Sequence, residues 1–505
     1  MAPRTYASAL EHLSLLQSNH AITSLFAPPS PASPSAQPPT KEELNARAMP
    51  EMREWLARGG VSPADLASRL RCVHVAGTKG KGSVCAYLTA ILTQPGAAGA
   101  GRVGTYTSPH LLTVRERIQL DGRPVGEDLF ARYFFETWDA FTAAARDSIT
   151  TNSKVPSDAE LAGPATKPFY FRFLTIMALR VFLGEGVRSA VIECGIGGEH
   201  DSTNVLPAEA VTAAVVSQLG IDHVGMLGAS LPEIAWHKAG VCRPGRRCFT
   251  RRLDDEQTME VLRRRAAEKR ADLVELDDGA VEAWGGVPRR GTLEGAFQKY
   301  NQALAALAAQ EHLRVLRQED GEGENEGEGS SLDSLPGFVL EGLARARLRG
   351  RCEVVRDGAV TWFVDGAHTG ESLAEAGAWF AEQVQERRLV LVFNQQERDA
   401  AALLRRLVHE SGVFFSAAVF TRNDAQARGA DEPPRDLAVQ RACADAMAAL
   451  APATEARVVE SVPEAVARVR EIAAGAEVGV LATGSLHLVG ALLRTLEGEG
   501  EGADA

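Results

Sequence analysis

Cysteine is scarce in these 505 residues: there are 7, scattered, with no C-x-x-C pair. That excludes a disulfide-stapled scaffold and points to buried thiols in a reducing compartment. Long apolar runs are also missing. None approaches the roughly 20 residues that a membrane-spanning helix needs, and the N-terminal stretch YASALEHLSLLQSN has no signal-peptide core. Charge is less one-sided than the net value of -12 implies, because six acids fall in EDGEGENEGEG (Glu319–Gly329) and four in the C-terminal EGEGEGADA. Without those ten the chain stands at -2, which argues against a nucleic-acid-binding surface.

What is present is a soluble globular composition, 45% hydrophobic and 24% charged, in a chain too long for one ordinary core. Phe26 to Lys41 reads FAPPSPASPSAQPPTK, a proline- and serine-rich segment that cannot form a packed core. It is expected to be a mobile insertion (26–41) that interrupts a helix. From Arg71 the pattern changes to a short apolar run, CVHVAG, then a glycine loop, then the apolar helix SVCAYLTAILTQ closed by Pro95 and Gly96. SAVIECGIGG and AVTAAVVSQLG are continuous apolar runs ending in glycine turns, as parallel strands buried on both faces require. FYFRFLTIMALRVFLG and KYNQALAALAAQEHL supply intervening helices. The expected fold is α/β in two domains, the first doubly wound, with ligands at the carboxyl ends of its strands. An acidic hinge loop (319–336) ends that domain (1–340). VTWFVDGAH, RLVLVFN, AAVFT and VGVLATG then announce a smaller α/β domain (341–505).

Four constellations in the first domain and two residues in the second can carry chemistry. HVAGTKGKGSVCAYL (His74–Leu88) resembles a phosphate loop, yet it misses the leading glycine of G-x-x-x-x-G-K-[ST], and Gly82 stands where the hydroxyl belongs. Gly77, Gly80 and Gly82 would let backbone N–H groups face an anion at a helix N-terminus, with Lys81 reaching outer phosphates; the plainer reading is a tight turn with solvated lysines. TYTSPHL (Thr105–Leu111) offers hydroxyls before a proline, or is simply a loop. In ECGIGGEHDSTN, Glu193 ends an apolar strand, a costly place for a carboxylate without a cation, donors or a salt bridge. LGIDHVGMLG puts Asp222 and His223 after another strand. A hydroxyl, a carboxylate and an imidazole from separate strand ends would suit magnesium with phosphate and water, although imidazole is an unusual partner for so hard an ion. In the second domain, Arg351 can clamp phosphate or make a surface salt bridge, and Asp365 can bind ribose hydroxyls or cap a turn.

Taken in order, GTKGKGS, TSPHLLTVRERI, ECGIGGEHDSTN, LGIDHVGMLGASLPEIAWHKAGV, GRCEVV, FVDGAHT and LATGSLHLVGALL resemble the folylpolyglutamate synthases, within the Mur-type ATP-dependent amide ligases. The similarity runs from about Tyr6 to Leu496, and YFRFLTIMA and LVFNQQERDA are similar to the eukaryotic, fungal branch. It implies an N-terminal P-loop ATPase-type domain, a C-terminal Rossmann-like glutamate-ligase domain, and a carbon–nitrogen ligase that adds L-glutamate to the γ-carboxylate of tetrahydrofolyl-(poly)glutamate through an acyl phosphate. It further implies that Gly80, Lys81, Gly82, Ser83, Asn301, Arg351 and Asp365 contact ATP, and that Ser108, Glu193 and His223 hold Mg2+. A monovalent cation such as K+ is a further candidate. Lys81, His223 and Arg351 would serve the transfer itself, with closure of the second domain assembling the site. Lys238 matches a lysine that is carbamylated in bacterial members. Folate contacts are expected near TSPHLLTVRER, where Arg115 and Arg117 either meet carboxylates or serve as surface charge. The resemblance also implies one-carbon metabolism, a monomer, and a cytoplasmic location with a mitochondrial pool. Dihydrofolate synthase activity on dihydropteroate is the alternative reaction. A non-catalytic folate- or nucleotide-binding protein is the alternative class, disfavoured because Lys81, Ser108, Glu193, His223, Arg351 and Asp365 are all present.

Overall fold

The run Arg71–Ala76 is buried at every residue but its first, a pattern that suits a strand covered on both faces. The computed structural model describes residues 3–17, 40–149, 156–287, 293–321, 331–384, 388–395, 399–429, 431–474 and 476–498. The expected insertion, but for its last two residues, and the 322–330 part of the acidic loop lie outside the described residues. The chain divides into two compact units. The first comprises Met1–His110, Arg115–Arg290 and Lys299–Ala346; the second comprises Leu111–Val114, Gly291–Gln298 and Arg347–Ala505.

The first unit is built on an eight-stranded sheet. Its strands are β1 (Arg71–Ala76), β2 (Arg102–Tyr106), β3 (Ile118–Leu120), β4 (Arg123–Pro124), β5 (Val187–Glu193), β6 (Val211–Val216), β7 (Arg247–Arg251) and β8 (Asp272–Leu276), in the order β4-β3-β2-β5-β1-β6-β7-β8. The six strands from β2 to β8 in that order are parallel. β3 and β4 run antiparallel, which makes the sheet mixed. The reversal between them is the dipeptide Asp121-Gly122, both with positive φ (51° and 78°), the geometry of a two-residue hairpin. From β1 the chain passes β5 to reach β2, and from β5 it passes β1 to reach β6. Strand order therefore reverses around the β5–β1 pair, where α/β sheets bind ligands. The register brings Val75 opposite Glu193, Tyr106 opposite Ile192 and Ala76 opposite Val216, so these strands end along one edge.

The N-terminal helices correct one expectation. Tyr6–Ser14 is closed by its own caps, with Thr5 and Ser8 forming a capping box. Lys41–Arg58 starts afresh at a second box made by Thr40 and Glu43. These are two separately capped helices rather than one interrupted helix, since each box satisfies the orphan N–H groups of a new start.

The second unit holds a six-stranded sheet of β9 (Glu353–Asp357), β10 (Val360–Val364), β11 (Arg388–Phe393), β12 (Ala417–Phe420), β13 (Glu455–Val458) and β14 (Val478–Thr483), in the order β13-β12-β11-β14-β10-β9. All pairs are parallel except β9 with β10. Two clusters of buried side chains pack this sheet, one around Trp362, Val390, Val480 and Leu492, the other around Phe363, Phe380, Leu391 and Phe420. Each such aliphatic or aromatic side chain contributes about 1.5–3 kcal/mol when fully buried. Leu111 and Leu112 pack against the first cluster, and the Leu112 carbonyl accepts a 2.7 Å hydrogen bond from Arg494.

Candidate active site

β1 delivers the chain into a loop whose backbone tolerates only glycine at two places. At Gly77 (φ 148°) a Cβ would stand 1.8 Å from Ser217 Oγ, and at Gly80 (φ 80°) it would stand 2.4 Å from Asn301 Oδ1. The loop is pinned by the segment after β6. Thr78 and Lys79 both donate backbone N–H to the Gln218 carbonyl (2.9 and 3.1 Å), Thr78 Oγ1 donates to Gly220 O (3.0 Å), and Ser217 Oγ donates to Lys79 O (2.6 Å). Gly80 is then the N-cap of the helix Lys81–Leu92, which has no side-chain cap. A helix start of this kind presents orphan N–H groups and the positive end of the dipole. Gly82 and Ser83 occupy its first turn, Ser83 being buried. Lys81 Nζ donates to Gly77 O at 3.1 Å. A cradle that a side chain would fill, an uncapped helix start and a lysine at its mouth fit the phosphates of a nucleotide.

Lys238 meets the same carbonyl. Its Nζ donates to Gly77 O at 2.7 Å from a position only 3% exposed. Burial first, and then the Lys81 charge, lower its pKa to about 7. The two lysines thus converge on one loop carbonyl, which accounts for an apolar helix, Leu231–Lys238, ending in a buried amine.

Along the same strand edge, Glu193 is 3% exposed, and its Oε2 accepts the backbone N–H of Ser108 at 2.9 Å. This places the Ser108 main chain against the carboxylate; hydroxyl and carboxylate oxygens suit a hard divalent cation sharing phosphate oxygens and water. His223 lies on an exposed turn, with φ 49° and its Nε2 3.9 Å from Asp222. Among the described residues no group of three His, Cys, Asp or Glu side chains clusters as a metal site, and a set that includes the Ser108 hydroxyl is not such a group. The structure joins Ser108 to Glu193 through that backbone hydrogen bond.

Behind Glu193 lies a polar network to which the sequence reading assigned no role. Asp201 accepts from Ile196 N (2.9 Å), Thr203 N (2.9 Å) and Thr203 Oγ1 (2.6 Å), and His74 Nε2 lies 2.8 Å from that hydroxyl. Burial pushes the Asp201 carboxyl above its ordinary value and holds His74 well below its own. These residues shape the ECGIGGEHDSTN turn. The signal was a carboxylate followed two residues later by threonine, an Asx turn.

In the second unit, Arg351 is half-buried beside Gly366. Asp365 follows β10, but both its oxygens are engaged locally: Oδ2 accepts Cys352 N (2.9 Å) and Oδ1 accepts Ala367 N (2.8 Å). Its observed work is to tie two turns together, so a ribose hydroxyl would have to share those oxygens. Arg115 and Arg117 are not surface charge: each is 5% exposed.

A family model for the Mur ligase glutamate ligase domain matches residues 350–486, spanning all six strands of the second sheet. The folylpolyglutamate synthase of Neurospora crassa is 38% identical across 98% of this chain and 92% of its own length. The chain belongs to the folylpolyglutamate synthase family. That of Saccharomyces cerevisiae (strain ATCC 204508 / S288c) is also 38% identical, over 84% of this chain and 72% of the relative. Among solved structures, Mycobacterium tuberculosis folylpolyglutamate synthase complexed with ADP and AMPPCP superposes with a TM-score of 0.63 at 26% identity, covering 90% of this chain and 98% of that one. E. coli FolC in complex with DHPP and ADP, at 21% identity and a TM-score of 0.64, shares the two-domain α/β fold over 97% of each chain.

Proposed function

We propose that this folylpolyglutamate synthase family member uses ATP to join L-glutamate to the γ-carboxylate of tetrahydrofolyl-(poly)glutamate. The observation that carries the reading is the Gly77–Lys81 cradle with the Ser108–Glu193 contact on neighbouring strand ends. In the first step a γ-carboxylate oxygen attacks the γ-phosphorus of ATP; the new O–P bond forms, the bond to ADP breaks, and an acyl phosphate results. In the second the glutamate amine attacks the acyl carbon, phosphate leaves with the C–O bonding pair, and the amine surrenders a proton. No protein nucleophile is required, so the residues act by position and charge. Lys81 would neutralise phosphate charge, the helix start would hold phosphate oxygens, and Asn301 would keep the loop against the helix. Arg351 would offer a guanidinium to ATP. Ser108, Glu193 and His223 would hold Mg2+, whose contribution when bound is to offset charge on the phosphates. Lys238, neutral above about pH 7, is the amine that CO2 would carbamylate.

The test has two arms. Purified enzyme is given ATP, L-glutamate and either tetrahydropteroylglutamate or dihydropteroate, and added glutamates are counted by mass; extension of the first substrate is expected, and reaction with dihydropteroate alone would replace this reading by dihydrofolate synthesis. Lys81→Ala should lower turnover about 10²–10³-fold, as loss of a preorganised charge contact does, with an unchanged melting temperature. Near-normal turnover would remove the phosphate-loop assignment.

A further inference from the structure

Arg117 stands where β3 begins, and its carbonyl accepts the backbone N–H of Thr107 at 3.0 Å, one residue before Ser108. Its side chain is 5% exposed. Nε donates to His110 Nδ1 at 2.8 Å, and the guanidinium carbon lies 5.4 Å from the Tyr170 ring centroid. Nη1 is buried with no hydrogen-bond partner. The neighbouring Arg115 also has a buried donor, Nε, without a hydrogen-bond partner, but its Nη1 turns to the Val125 carbonyl at 3.1 Å, away from the Thr107–Ser108 segment that the Arg117 main chain holds. Arginine cannot shed its proton in a protein, and a buried cation with an unmade donor is costly unless an anion joins it. The planar fork is shaped for a carboxylate.

Sheet order limits which anion this is. From β3 the strands run β2, β5, β1, and neighbours are about 4.8 Å apart. Arg117 is therefore one spacing from the strand that leads to Ser108, and about 14 Å from the phosphate loop after β1. That is too far for loop-bound phosphates. It suits a substrate with a second carboxylate one strand away from the one that reacts, and a terminal glutamyl residue is such a group. Accepting the folate-glutamylating reading above, we propose that Arg117 binds the α-carboxylate of the folyl substrate's terminal glutamate, and so selects glutamylated folates over pteroate, which has no such group.

The test compares tetrahydropteroylglutamate with its α-carboxamide. The wild type is expected to favour the acid by about 100-fold or more in kcat/KM, as sites built around a polar partner do. Arg117→Met should bring the two substrates within about 3-fold of each other, because the loss falls on the acid alone, with KM for ATP and for L-glutamate held near wild type. Arg117→Gln serves the same comparison if the methionine variant fails to fold. A wild type that accepts acid and amide alike overturns the proposal, as does a folded variant that keeps the full preference. A merely structural arginine would lower the melting temperature and raise every KM together, which also overturns it. A wild type that adds no glutamate to the acid removes the parent reading and this one with it, whereas equal use of acid and amide removes only this one.

Discussion

Two lysines share the Gly77 carbonyl, and their different surroundings give them different roles. Lys81 sits at the helix start, while Lys238 is enclosed and lowered to about 7 by burial and by Lys81. Below that pH Lys238 is an ammonium; above it the amine is neutral and nucleophilic. Exposing the protein to 13C-labelled CO2 should therefore give a carbamate resonance that grows as pH rises through about 7 and is missing in Lys238→Arg. A signal that does not change with pH, or that survives in the variant, would dispose of the carbamylation reading. Lys238 was recognisable from EIAWHKAGV only by resemblance, since nothing in the spacing shows that its amine turns back to a loop 161 residues earlier. The glycines were legible for a physical reason. Three of them around lysines at a strand-to-helix junction have few other uses.

At the scale of elements, the helix Gln298–Glu319 is keyed to the sheet at the end opposite the loop. His312 Nδ1 lies 2.6 Å from Thr212 Oγ1 and its Nε2 lies 2.8 Å from Ser189 Oγ, at the starts of β6 and β5. Burial lowers the His312 pKa to about 3, well under its ordinary 6.5. The folded state then binds fewer protons than the unfolded one between those values, so stability falls as pH drops from about 6.5 to about 3. One such group accounts for something on the order of 4 kcal/mol across that window. Urea titrations should show wild type losing more stability over this range than His312→Gln; parallel curves would refute the assignment. Strand reading from sequence succeeded where strands are buried on both faces, as in β1, β5, β6 and β14. It passed over β9 and β13 because EVVRD and EARV mix charge with short apolar runs, which is how half-exposed edge strands are written, and it passed over β2, β7 and β8, whose runs are short and bounded by charge. The hairpin of β3 and β4 was announced by Asp121-Gly122 and went unread. At the site, Ser108 with Glu193 was legible as a pair of strand ends, but the buried setting of Arg117 was not, because VRER reads as surface charge until the fold encloses it.

For the whole molecule, the boundary between the units is not one point on the chain. The second unit takes Leu111–Val114 and Gly291–Gln298 from far upstream of Arg347. Leu112 accepts from Arg494, and Glu294 accepts from Trp379 Nε1 at 2.8 Å. Two separate chains, 1–346 and 347–505, should consequently copurify when coexpressed, and 347–505 alone should melt below the same unit in the intact chain. Failure to copurify would show that the two upstream segments contribute little. Hydrophobic periodicity cannot reveal such sharing, since LLTV looks the same whichever core it joins. The practical consequence concerns chimeras: a C-terminal half exchanged between family members at Arg347 would meet foreign residues at 111–114 and 291–298, and a faithful graft must carry those two short stretches with it.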